Sequence, residues 1–161
     1  MHASAARLPP AGLCTCSKVR GLARRLTSLY DAELARHRLT VTQYAALSRL
    51  MRADTALSVA ELARQLQMDR TTTSRLVGPL ESEGLLARAD ALAAGRDPRA
   101  RPLELTAKGR RRLLAAVSAW QAAQQEVDTL LGAPLQAALN KAADAASHAL
   151  AHASVEPPEV A

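Results

Sequence analysis

Apolar side chains recur at three- and four-residue intervals over most of the chain, and at two-residue intervals only near its middle. Val19, Leu22, Leu26, Leu29, Tyr30 and Leu34 predict a helix from about Lys18 to His37. A second begins in "LTVTQYAALSRLM", where Thr40 and Gln43 have the spacing of a capping box. Ser58 and Glu61 repeat that spacing ahead of a third helix, whose buried stripe is Val59, Leu62 and Leu66. Asp69 is placed to cap a fourth, "RTTTSRLVGPLESEG". Gly78 and Pro79 predict a bend within it, and Gly84 its end. The segments "LLARADAL" and "RPLELT" then read as two short strands, with Leu103 and Leu105 alternating about Glu104. Between them lies a basic, turn-rich tip, "AAGRDPRA". Thr106 caps a long fifth helix carrying Leu113, Val117, Trp120, Val127 and Leu131. "GAP" at 132–134 ends it, and an alanine-rich sixth helix runs from about Leu135 to His152.

The expected fold is therefore mostly α with a small β-hairpin wing. It divides into a flexible N-terminus (1–12), a dimerisation helix (13–41), a winged helix-turn-helix (42–106), C-terminal dimerisation helices (107–152) and a disordered tail (153–161). A short helix, a tight turn at "QMD" and a second helix form the centre of the motif. This order gives meaning to the run of four hydroxyl residues between two arginines. Threonine is a mediocre helix former, but small hydroxyls at the N-terminus of a recognition helix can bond phosphates and base edges while allowing close approach. Arg70, Thr71, Thr72, Thr73, Ser74 and Arg75 are the candidate major-groove contacts.

Composition narrows the picture further. Apolar residues make up 48% of the chain but aromatics only 2%, with no phenylalanine, so the core must be leucine, valine and alanine. The formal net charge of +6 is unevenly spread. Residues 58–112 carry eleven Lys/Arg against seven acids, whereas residues 113–161 carry one against five. That asymmetry suits a polyanion on one side and keeps the C-terminal helices away from it. No apolar run reaches the length of a membrane span, and the first residues lack the apolar centre of a signal peptide, so a cytoplasmic location is expected with no membrane partner. There is no phosphate-cradling glycine loop and no nucleophile elbow, so no enzyme is expected. A winged helix that binds protein instead of DNA is the rival from another class; salt-dependent DNA binding separates the two.

The segments "LTVTQYAALSRL", "SVAELARQLQMDRTTTSRLVGPLESEGLL" and "GRDPRARPLELTAKGR" resemble the MarR family of bacterial transcription regulators. The resemblance spans roughly residues 14 to 150 and is most specific between Ser58 and Arg110. It implies a homodimer whose N- and C-terminal helices interlock, on a pseudo-palindromic double-stranded operator with half-sites about 10 bp apart. Each protomer would place a recognition helix in the major groove and a wing in the minor groove. Arg96, Arg99 and Arg101 would suit a narrow, electronegative minor groove, with Asp97 as an internal brace for Arg99. Many members are repressors released by phenolic ligands or by oxidation.

The signal is less legible. Both cysteines fall in "CTCSK", where Lys18, Arg20 and a helix N-terminus would lower a thiol pKa. Cys16, Tyr30 and Tyr44 are evenly spaced, as in the organic-peroxide-sensing OhrR branch, although Arg20 and Val41 stand where that branch has further tyrosines. This points to Cys16 as the oxidised thiol and Cys14 as its resolving partner. No cofactor is required by this reading. Two alternatives stay open at these positions: a metal or iron–sulfur site built from the Cys14/Cys16 pairs of two protomers, or inert cysteines. A further alternative is a pocket for an aromatic acid effector, lined by Arg20, Tyr30, His37, Tyr44 and Trp120. Asp144, His148 and His152 share a helix face at metal-ligand spacing, which reads better as a polar outer face.

Overall fold

The computed structural model describes residue 12, residues 14–89 and residues 101–151. The expected loose terminus (1–12) lies almost wholly outside the described residues, as do the wing-tip positions Arg96, Asp97 and Arg99, His152 and the tail from 153 onward.

The chain forms two compact units, one up to Ala123 and one from Gln124 onward. The first holds α1 (Thr15–Leu34), a 3-10 turn (Ala35–His37), α2 (Val41–Arg52), α3 (Val59–Leu66), α4 (Arg70–Ser82), β1 (Leu86–Arg88), β2 (Leu103–Leu105) and the start of α5 (Ala107–Ala151). This is a winged helix-turn-helix with helical extensions, mostly α with one antiparallel hairpin. Its core is almost wholly leucine and alanine, including the fully buried Leu34, Leu47, Leu62, Leu103, Ala116 and Ala119.

The helix starts follow local chemistry. In both capping boxes the hydroxyl accepts from the N3 amide and the N3 side chain accepts from the cap amide: Thr40 with Gln43, and Ser58 with Glu61. Asp31 of α1 adds a non-local cap, accepting from the Val41 amide at 2.6 Å and tying α1 to the start of α2. The helix ends are more varied. Gly84 (φ 69°) closes α4 with the Leu85 amide donating to the Leu80 carbonyl, a Schellman geometry. The same bond pattern closes the 3-10 turn at Arg38 and α3 at Gln67, both at φ 54°. The helix-turn-helix turn is thus built on a left-handed glutamine.

The helix α4 runs on through Pro79 to Ser82. Pro79 cannot donate to the Arg75 carbonyl, but Gly78 before it has no Cβ to meet the ring, which lessens the usual obstacle to helix ahead of proline. In the hairpin Leu86 pairs with Leu105 and Arg88 with Leu103. A bridge from Leu57 to Leu103 adds a third strand-like edge, with amide-to-carbonyl distances of 3.0 and 2.6 Å in the two directions. Thr106 caps α5 by accepting from the Gly109 amide, and its own hydroxyl donates to the Gly84 carbonyl at 2.8 Å.

In the second unit the expected break appears at Gly132, whose φ of 70° and ψ of 152° are not helical. Asp128 accepts from the side-chain amides of both Gln124 and Gln136, one on each side of that break. Among the described residues no helix is long and apolar enough to cross a membrane.

Candidate nucleic-acid interface

The recognition helix α4 sorts the hydroxyl run by helical period. Val77 and Leu80 are buried on its inner face, and Thr73, one turn earlier, joins them at 0% exposure. The Thr73 hydroxyl donates back to the Asp69 carbonyl at 2.9 Å. Thr73 therefore departs from the expected set of groove contacts: it fills the core at the start of the helix, and its polar atom is satisfied within the helix. Thr72 is exposed but serves the cap, its amide and hydroxyl donating to the two Asp69 carboxylate oxygens at 2.8 and 2.6 Å. Arg70, Thr71, Ser74 and Arg75 remain exposed and share the outer side of α4.

These bonds from Thr72, the hydroxyl first and then the amide, hold the Asp69 carboxyl below its ordinary value. A depressed carboxyl contributes stability that is present above its unfolded pKa, about 3.9, and is lost as pH falls through the lower folded value. Asp69→Ala is therefore expected to flatten the acid limb of the melting-temperature profile below that range. An unchanged slope across that limb would show that the cap bears no such linkage.

At the wing, Arg101 is exposed and left-handed (φ 39°), immediately before the buried Pro102. A contact unforeseen in the sequence lies beneath it. Arg88 at the end of β1 grips Glu81 of α4 through two parallel bonds of 2.6 and 2.9 Å, and its third guanidinium nitrogen donates to the Arg101 carbonyl at 2.9 Å. The N-terminal part of α5 holds the end of α4 as well: Lys108 Nζ donates to the Glu83 carbonyl, and Arg112 pairs with the Glu83 carboxylate at 3.2 Å.

The residues expected to sense a signal separate into two places. Cys14 and Cys16 are both exposed free thiols at the start of α1, Cys14 at its N-cap and Cys16 in its first turn. Hydrogen bonds from the Ser17 hydroxyl and then its amide lower the Cys14 pKa. The aromatic residues lie elsewhere. Tyr44 and Trp120 stack nearly parallel (7°) with centroids 6.0 Å apart, and Tyr30 meets Trp120 at 6.3 Å. Tyr44 and Trp120, though not Tyr30, border a recess of ≈ 170 Å³ whose other walls include Ser48, Arg49 and Arg52. Arg20 and His37 do not join them. Arg20 is ten residues from Tyr30 along α1, about 15 Å of helix, and lines a separate groove with Arg24 and Thr27. His37 lies beyond α1 in the 3-10 turn. The cationic wall of the recess is Arg49 and Arg52, one helical turn apart on α2. Among the described residues no three His, Cys, Asp or Glu side chains are grouped to hold a metal.

A MarR-family sequence profile matches residues 37–97, the helix-turn-helix and the first part of the wing. Among solved structures, the M. tuberculosis transcriptional regulator MosR is 29% identical, aligning 88% of this chain with 99% of that one at a TM-score of 0.73. The same regulator in complex with DNA is 31% identical at a TM-score of 0.70, over 84% of this chain and 98% of that one. The chain belongs to the MarR family. It shares that family's winged helix-turn-helix and its character as a DNA-binding transcriptional regulator. The repressor CouR bound to p-coumaroyl-CoA, 24% identical over 83% of this MarR-family chain and 91% of its own, has the same fold at a TM-score of 0.71. Among curated proteins none matches the chain in sequence.

Proposed function

We propose that this MarR-family chain is a homodimeric repressor of a pseudo-palindromic operator, released by oxidation of the Cys14/Cys16 pair. Large apolar side chains left more than half exposed on α1 and α5, Val19, Leu114, Leu130, Leu135 and Leu150, support a partner copy on those helices. The observation that carries the sensing reading is the placement of two exposed thiols at the first turn of α1, with Ser17 favouring the Cys14 thiolate. The thiolate is the nucleophile, and we place the attack on Cys14, whose thiolate Ser17 favours, with the roles of Cys14 and Cys16 exchanged if Cys16→Ser and not Cys14→Ser stays bound under peroxide. Cys14 sulfur attacks a hydroperoxide O–O bond, which yields the sulfenic acid and releases the reduced alkoxide. The Cys16 thiol then displaces water to form the disulfide. Side chains two residues apart on a regular helix diverge, so closing this bond requires the first turn of α1 to unwind. A change in α1 at a dimer interface alters the spacing of the two recognition helices, which the operator fixes.

The test is operator binding by the reduced chain, on a site selected from random-sequence DNA, with and without peroxide. Wild type is expected to lose binding and recover it with dithiothreitol, and Cys14→Ser to stay bound. Alkylation of Cys14 should reach half its maximal rate at a lower pH than an ordinary thiol. Peroxide-insensitive wild type would sink this reading. It would favour the second one, an aromatic anion seated on Tyr44 and Trp120 and paired with Arg49 or Arg52, which Trp120, the chain's single tryptophan, would report by fluorescence.

A further inference from the structure

We infer that Arg88 is a positioning residue for DNA reading, one that joins the stem of the wing to the recognition helix so that Arg101 is presented to the operator in register with Arg75. All three guanidinium nitrogens are engaged, two by Glu81 on the last turn of α4 and one by the Arg101 carbonyl. The Arg88 and Glu81 side chains are only 30% and 27% exposed. That is too covered for the weak behaviour of a solvated surface pair, and the paired bonds fix orientation as well as distance.

The other end of the grip explains why orientation matters. Arg101 holds a left-handed backbone that side-chain-bearing residues rarely adopt, and it does so before a proline, where the preceding residue is restricted further. Such a conformation persists only where its surroundings determine it. Here they are the Arg88 bond to the Arg101 carbonyl and the Ala89 amide donating to the Pro102 carbonyl at 2.8 Å. Pro102 itself is buried, so the backbone is held from the inside while the Arg101 side chain stands exposed. Loss of Arg88 would free that backbone and also release the wing stem from α4. A lysine could keep a charge near Glu81 but could not make the fork and the third bond together. The inference rests on the reading in which Arg101 meets DNA; it is independent of the thiol chemistry.

Operator titrations over a range of salt concentrations test it on the full chain with wild type, Arg101→Ala, Arg88→Met and the double variant. Arg101→Ala is expected to reduce the log–log salt slope by about 1.8, about 0.9 for the phosphate-neutralising charge lost from each protomer of the dimer. Arg88→Met should reduce it equally and weaken binding about tenfold, and the double variant should lie within about twofold of Arg88→Met, since coupled residues are non-additive. If Arg88 met a phosphate itself, the two slope changes would add. If Arg88 only supported the fold, Arg88→Met shown to be fully folded by circular dichroism would bind as wild type does. Either result overturns the inference. Should Arg88→Met fail to fold, Glu81→Gln and Arg88→Lys replace it, with the same non-additivity with Arg101→Ala expected. An Arg101→Ala variant with wild-type affinity and slope overturns the inference at its premise, and leaves wild-type operator binding and its peroxide response standing.

Discussion

Gly109→Ala is expected to destabilise the fold by about 2–4 kcal/mol, from overpacking together with disturbed hydrogen bonds. The direction is the reverse of the usual rule, since alanine in place of glycine inside a helix normally gains about 1 kcal/mol. Here α5 begins hard against the end of α4 and the start of β1. A Cβ at position 109 would fall inside contact distance of the Leu85 carbonyl oxygen and 2.9 Å from Leu105 Cδ2. The leucine methyl can turn aside, but the Leu85 backbone cannot yield easily. The Leu85 carbonyl accepts from both the amide and the hydroxyl of Thr106, at 3.2 Å each, and Thr106 is the cap of α5. Room for the methyl group can come only from lifting α5 off the wing stem, which breaks these bonds. Urea denaturation is the measurement. A midpoint at or above that of wild type, with unchanged slope, would mean that the close approach is not required.

Truncating Arg75 is expected to weaken operator binding by about 1–3 kcal/mol per contact and to erase discrimination at one base pair in each half-site. Arg75 is exposed on the outer side of α4, one turn beyond Thr71 and next to Ser74, and the proposed reading turns that side toward the major groove. A guanidinium there can take the O6 and N7 of guanine together. Arg70, at the first position of the helix, is better placed for phosphate, where its loss would lower affinity on all sequences alike. Competition between the operator and single-base variants separates the two roles. If Arg75→Ala still rejects the substituted operators as strongly as wild type does, Arg75 does not read a base.

The helix starts could be read from the chain because their chemistry is local. A cap and its N3 partner lie three residues apart, so Thr40/Gln43, Ser58/Glu61, Asp69 and Thr106 carry their own instructions, as does Gly84 at the end of α4. The break at Gly132 and the leucine–alanine core were legible for the same reason: backbone freedom and apolar period are properties of neighbouring residues. So were the recognition helix and the paired strands, and with them the family. Thr73 shows how a local signal can mislead. Its period with Val77 and Leu80 places it inside, although it belongs to a hydroxyl run whose other members are exposed.

What the tertiary structure decided involves partners distant along the chain, or backbone states that the residue type does not announce. Nothing in Arg38 or Gln67 signals a left-handed helix end; packing of the flanking elements holds them there. The Leu57–Leu103 bridge needs an edge that exists only once the hairpin has docked. The grip of Arg88 on Glu81 and on the Arg101 carbonyl joins three elements, and Arg49 and Arg52 become the cationic wall of the aromatic recess only when α2 packs beside Trp120. The chain alone determined which elements form and which residues could meet DNA. Which of those residues turn outward, and what holds them there, was decided by contacts that period and composition cannot encode.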